Sequence, residues 1–195
     1  MSARKAVAKE LTRDMILQAA NNLFVEKGYQ HVSMRQIATK LNYSHGSLYY
    51  HFKNKAELFF ALVEKHFQLL DERMCAIQDK DIPDEEKLRQ LMQDYIAFGL
   101  THQSHYEIMF LIRDDEVRTF MQEAPMKAYQ RFAHFVANWS EETLSVQVIW
   151  SMFLSLHGFV THYLRHVNEY ADVEQMAKRH VDLLLQWTKT GQNNG

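Results

Sequence analysis

Hydrophobic positions recur along this chain in steps of three and four, the period of helices that bury one face. Ile16, Ala19, Ala20, Leu23 and Phe24 form the first stripe, with Thr12 placed to cap it and Lys27-Gly28 to end it. A second helix is predicted to open at Ser33, with Gln36 three residues on as a capping box, and to bury Met34, Ile37, Ala38 and Leu41. After a short turn at Asn42-Tyr43, Ser44 caps a third and very short helix, His45 to about Tyr50, whose Leu48 faces inward, as does Phe52 beyond it. Asn54 and Glu57 open a long helix through Leu58, Leu62, Phe67, Leu69 and Leu70 towards Ile77.

Pro83, backed by Asp84, Glu85 and Glu86, suits the first turn of the next helix, which carries Leu88, Leu91, Met92, Tyr95, Ile96 and Phe98. A shorter helix is expected from Ser104 to about Arg113, and another from near Asp115, interrupted at Pro125, to Trp139. Ser140 is expected to start a helix reaching Val167, and Asp172 with Gln175 to cap a last one ending near Lys189, with residues 191–195 frayed. The reading is all-α, with about nine helices in two domains, residues 9–69 and 70–195. Only six Gly and two Pro occur in 195 residues, which leaves little material for tight turns and argues against all-β and Rossmann-type folds.

With 47% apolar and 24% charged residues the chain can bury a sizeable core. A single cysteine, Cys75, excludes an intrachain disulfide. The basic N-terminus lacks the apolar centre of a secretory signal. The most apolar stretch, Val148 to Leu164, is 17 residues long, interrupted by Ser, Thr and His, and too polar to span a membrane. A cytoplasmic location and no membrane partner are expected. The formal net charge of −2 hides an asymmetry: residues 1–55 carry nine basic and three acidic groups, a net +6, and the rest of the chain a net −8.

The basic end also holds the most specific pattern. Residues 33–52 read as two helices joined by a short turn, a helix-turn-helix. The outward face of its second helix is small and polar, with His45, Gly46 and Ser47 followed by Tyr49, which lets a helix backbone sink into a groove about 12 Å wide. Lys55 falls in the first turn of the following helix, where free N–H groups already favour an anion such as phosphate.

The stretch from Met15 to about Leu62 resembles the DNA-binding domain of the TetR family of bacterial regulators. The likeness rests on Ile16-Leu17-Gln18-Ala19-Ala20 with Leu23-Phe24 and Gly28, on Arg35-Gln36-Ile37-Ala38, and above all on Gly46-Ser47-Leu48-Tyr49-Tyr50-His51-Phe52-Lys53-Asn54-Lys55. It covers about a quarter of the chain, and Asn42 stands where family turns commonly have Gly. It implies base contacts by Arg35 and by the face from Ser44 through His45 and Gly46 to Ser47. It also implies phosphate or edge contacts by Ser33, Tyr49, Tyr50, His51 and Lys55. Arg35 suits guanine, whose O6 and N7 a planar guanidinium bonds together.

In the second half, Val146, Ile149, Phe153, Leu156, Val160, Tyr163 and Val167 form a heptad-like seam, with Trp150, His157 and Leu164 beside it. The last helix adds Val173, Met176, Ala177, His180, Val181, Leu184 and Trp187. Two wide apolar faces suggest a four-helix interface between two copies, the alternative being that they only close the chain's own core. The resemblance implies the same homodimer and an inducer site among the middle helices. Candidates for that site are Tyr95, Phe98, His102, Phe110, Arg113, Phe132, Trp150, Phe153 and His157, which suit an apolar or aromatic effector. His162 with His166 and His102 with His105 are helix-spaced pairs without a visible third ligand, so no metal or other cofactor is expected. The reading is a sequence-specific, ligand-responsive homodimeric repressor on a near-palindromic operator of double-stranded DNA, not an enzyme. The alternatives are a helical enzyme with a His-based metal site and a non-specific DNA-binding protein.

Overall fold

A computed structural model describes residues 10–112 and 114–189, apart from the side chains of 118–122. Arg113 and the tail expected to fray therefore lie outside the described residues, as does the side chain of Met121. Nine α-helices and one 3-10 turn occur among the described residues, and no strand. The chain divides into two compact units between Leu62 and Val63.

In the first unit α1 (Arg13–Lys27) is capped by Thr12, whose hydroxyl accepts from Met15 N, and ends at Gly28 with φ +79°. α2 (Met34–Leu41) begins with the Ser33–Gln36 capping box and ends at Asn42 in the left-handed region, φ 60°. Asn adopts this conformation at low cost, so the turn works without glycine. α3 (His45–His51) is capped by Ser44, which accepts from Ser47 N at 3.1 Å. α4 (Lys55–Gln78) gives its first turns, with buried Leu58, Phe59 and Leu62, to this unit and the remainder to the second. The core joins these residues to Ile16, Ala20, Phe24, Ile37 and Leu48, around a cluster of Phe24, Tyr29 and Phe59 whose ring centroids lie 4.9–5.5 Å apart.

The second unit is a helical bundle. α5 (Asp84–Thr101), whose inner face from Leu88 to Leu100 is apolar apart from the Tyr95 hydroxyl, packs against α6 (Gln103–Phe110), α7 (Arg118–Trp139), α8 (Val146–Tyr163) and α9 (Glu174–Trp187). Gly99 permits the closest approach: a Cβ there would lie 2.5 Å from Val160 Cγ1 and 3.0 Å from Tyr106 Cδ2. This is a packing requirement rather than a conformational one.

Several details differ from the expectations above. Pro125 does not interrupt its helix, because α7 runs unbroken across it. A helical proline costs about 3 kcal/mol, whereas the buried Phe132, Phe135 and Val136 further along each contribute about 1.5–3 kcal/mol. Ser140 closes α7 instead of opening α8: its hydroxyl donates to Val136 O at 2.6 Å, and Ser145 caps α8 by accepting from Val148 N. α8 stops at Tyr163 rather than Val167 because Gln103 takes over the next peptide groups, accepting from Arg165 N at 2.8 Å and donating to Val167 O at 2.9 Å. Arg165 is thereby held at φ 62°. Asp172 does not cap α9; its carboxylate faces backwards, accepting from Asn168 N and Glu169 N around the 3-10 turn Tyr170–Val173. The helix expected over 104–113 is shorter, ending at Phe110, and its successor starts at Arg118.

Candidate functional site

α3 has seven residues, too few to be stable alone. Three contacts hold it. Leu48 is fully buried, Ser44 caps the start, and Arg13 of α1 closes the end by donating from Nη1 to His51 O at 2.7 Å while its guanidinium lies 4.0 Å from the Phe52 ring centroid. Opposite Leu48 the helix presents Gly46 and Tyr50, four residues apart, flanked by His45 and Tyr49, all exposed. Tyr50 is 88% exposed, far beyond what a packing tyrosine shows. His45 and Tyr49 brace one another edge-to-face at 4.7 Å.

Gly46 is informative because nothing in the chain requires it. Its φ is not positive, and an added Cβ would meet only Ser44 Oγ at 3.9 Å. A glycine in a helix interior costs up to about 1 kcal/mol relative to alanine. Here that cost leaves a side-chain-free strip on the outer face.

The implied DNA contacts fall into two sets. Arg35 on α2 is exposed, as are His45, Gly46, Tyr49 and Tyr50. Ser33, Ser44 and Lys55, by contrast, are engaged within the unit. Ser33 Oγ accepts from Gln36 N and bonds Gln36 Oε1, and Ser44 Oγ caps α3 and bonds Ser47 Oγ at 2.7 Å. Lys55 Nζ donates to Tyr29 O at 3.1 Å and lies 3.9 Å from the Tyr29 ring centroid. His51 is half-buried, with its ring against Tyr50.

The sequence model described as "Bacterial regulatory proteins, tetR family" matches residues 16–62, from within α1 to within α4. Over these residues the chain is similar to the TetR family. A curated relative, an HTH-type transcriptional regulator of Staphylococcus aureus strain MRSA252, is 32% identical over 98 residues, covering 50% of this chain and 52% of that protein. The chain thus spans about half the length of the curated relatives it matches. Among solved structures, the fatty acid degradation regulator FadR from Bacillus halodurans superposes with a TM-score of 0.78 at 20% identity, covering 98% of this chain and all of that one. FadR from Bacillus subtilis, solved in complex with stearoyl-CoA, gives 0.75 at 20% identity over 90% of this chain and 99% of its own. These likenesses show that the chain shares the fold of those regulators over 90–98% of its length.

The residues expected to form an effector pocket are mostly core. Tyr95, Phe98, Phe132 and Phe153 are buried and pack on one another: Phe153 lies 5.5 Å from both Tyr95 and Phe132. Trp150 is partly exposed and sits edge-on to Tyr129 of α7 at 4.6 Å. Phe110 and His157 are half-buried and 5.3 Å apart. His102 lies 5.2 Å from Phe98 and stacks on His105 at 5.2 Å, which in turn stacks on the buried His66 of α4 at 3.9 Å. Burial lowers all three histidines, His66 to about 3; the neighbouring histidines and Lys65 add to this for His66 and His105, and Arg73 for His102.

A cavity of about 470 Å³ opens elsewhere, between α4 and α7, with Phe67, Met74, Ala124 and Ala128 forming its apolar part. Asp71 and Arg131, ion-paired at 2.7 Å, stand at its polar rim with Glu64, Gln68 and Lys127. None of the eight expected pocket residues that the structure describes lines it. Among the described residues no group of three or more His, Cys, Asp or Glu could hold a metal ion, and no helix is long and apolar enough to cross a membrane.

Much of the interface seam expected on α8 is likewise intramolecular: Ile149, Phe153, Leu156 and Val160 are buried within the chain. What stays exposed is another face, with Leu154, Gly158 and His162 on α8 and Met176, Leu183 and Trp187 on α9. Gly158 again has nothing within 4 Å of an added Cβ. Arg13, Gly99 and Tyr106, which position the neighbourhood of these sites, carried no local signal, because each acts on residues far away in sequence.

Proposed function

We propose that the chain is a homodimeric, ligand-responsive transcriptional repressor that reads a near-palindromic operator with α3. The single observation carrying the DNA reading is the outer face of α3, where a glycine the fold does not need sits four residues from a tyrosine exposed to 88%. Such a face admits the helix backbone to a major groove, with Arg35, His45, Tyr49 and Tyr50 around it to contact base edges and phosphates. Ser33, Ser44 and Lys55 support this reading as positioning groups, since their polar atoms hold the reading head together.

One seven-residue helix reads too few bases for specificity, so two copies are required, with half-sites about 34–36 Å apart. The exposed apolar side chains of α8 and α9 supply a self-complementary surface, and Gly158 gives a second helix room to approach. The effector is a small, largely apolar molecule that favours one conformer of the second unit and so lowers DNA affinity. The α4–α7 cavity supports such a ligand, and the stearoyl-CoA in the Bacillus subtilis regulator makes long-chain acyl thioesters the first class to test.

The deciding experiment is selection of bound duplexes from a random-sequence library with the purified protein. Enrichment of a two-fold-related motif supports the proposal. Equal affinity for selected and random duplexes refutes it in favour of non-specific binding. Leu183→Glu should convert the dimer to a monomer by sedimentation; a dimer that survives places the interface elsewhere.

A further inference from the structure

The last turn of α3 carries two of its reading groups and ends with little backbone support. Leu48 anchors the buried side, whereas Tyr49 and Tyr50 are exposed. The final backbone bond of the helix is Phe52 N–H to Leu48 O at 3.0 Å. The next amide, Lys53 N–H, leaves the helical pattern and donates to the Glu57 carboxylate at 2.6 Å. A helix end of this kind frays unless something else takes up its last carbonyls.

Arg13 does so from α1. Its Nη1 donates to His51 O at 2.7 Å, and its Cζ lies 4.0 Å from the centroid of the buried Phe52 ring. One guanidinium therefore fixes both the last carbonyl of α3 and the ring that follows it. Its charge is misplaced for its own helix. Arg13 is the first residue of α1, at the positive end of that helix dipole, where a cation is unfavourable. At α3 the same charge meets the carbonyl end, where a cation is favourable.

The reach of the side chain matters as much as its charge. A lysine ammonium standing where Cζ stands would keep its place over the Phe52 ring. It would fall one C–N bond, about 1.3 Å, short of the position from which Nη1 reaches His51 O. The charge and the carbonyl bond can thus be separated by substitution.

We propose that Arg13 is a positioning residue for base reading: by holding His51 O it keeps the last turn of α3 formed, so that Tyr49 and Tyr50 meet the groove already in place. It acts through α3 and is not itself a phosphate contact. Re-forming even one residue of that turn on binding costs about tenfold in affinity. Random duplexes are held essentially by charge and do not depend on the turn. The proposal rests on the DNA-reading role of α3 given above but can fail separately from it.

Arg13→Lys, which keeps the charge, and Arg13→Met, which keeps only the apolar contact, test it in the full chain once circular dichroism shows both folded. In the free protein, hydrogen exchange at the Phe52 amide should quicken by about fivefold in both, while the Leu23 amide in the middle of α1 stays as it was. Fluorescence anisotropy should show Arg13→Lys binding a selected duplex about tenfold more weakly and random duplexes as before. Arg13→Met should lose the same preference, with a fall in salt slope of less than about one unit per protomer. Arg13→Lys binding the selected duplex as tightly as the parent overturns the proposal, as does unchanged exchange at Phe52. A fall of a full unit per protomer in Arg13→Met overturns it in favour of a phosphate contact. Equal losses on selected and random duplexes, with Leu23 exchanging faster too, overturn it in favour of a purely structural role. A parent protein with no preferred duplex refutes instead the DNA reading on which the proposal rests.

Discussion

Gly46→Ala separates what α3 needs to fold from what it needs to bind. In the free chain the new methyl group meets only Ser44 Oγ, at 3.9 Å, an ordinary van der Waals distance, and the backbone is already helical. Alanine therefore gains helix propensity and reduces unfolded-state entropy, and the variant should be more stable by about 0.5–1 kcal/mol. For a chain of this size that corresponds to about 2–4 °C in Tm per kcal/mol. In the complex the same methyl group lies on the outer face and holds the helix away from the groove, weakening several contacts together. The expected loss is about tenfold or more in affinity, or 1.4 kcal/mol upwards. Urea denaturation followed by circular dichroism measures the first effect, and fluorescence anisotropy with a selected duplex at fixed salt the second. Opposite signs are the signature. A destabilised variant, or one that binds DNA as tightly as the parent, refutes the assignment of this face to the groove.

Lys55→Ala should cost about 1 kcal/mol of stability, through loss of the Tyr29 carbonyl bond and the cation–π contact, with a change in salt slope of less than one unit; a fall of a full unit would make Lys55 a phosphate contact. His66, buried and lowered from 6.5 to about 3, is neutral in the folded chain, so the unfolded chain binds the extra proton and stability falls as pH drops below 6.5. Between pH 7.5 and 5.0 the loss from this group is about 2 kcal/mol, and His66→Phe should remove that part of the slope in denaturation midpoints taken across the range. Gly99→Ala should cost about 1–3 kcal/mol by overpacking against Val160 and Tyr106; calorimetry showing no loss would mean that α5 and α8 separate freely.

The amino-terminal unit was legible because its signals are local. Thr12, Ser33 and Ser44 cap helices through residues three positions on, Asn42 and Gly28 act through their own dihedral angles, and the small face of α3 is a run of neighbours in sequence. The second unit was read less well wherever two elements compete for one polar group. Ser140 and Ser145 are equally good caps in sequence, and only the packing of α7 assigns the first to an end and the second to a start. Aromatic residues of the middle helices look alike as core or pocket wall, and Tyr95, Phe98, Phe132 and Phe153 became core because four helices converge on them.

The sequence by itself determined the helical class, the charged head and the reading motif, because periodicity, capping and charge act over a few residues. Only the tertiary structure decided that Lys55 turns inward to Tyr29, that Arg13 secures the end of α3 from 38 residues away, and that Tyr95, Tyr106 and His157 form one hydrogen-bonded chain. Those arrangements depend on distances between helices, which sequence separation does not encode.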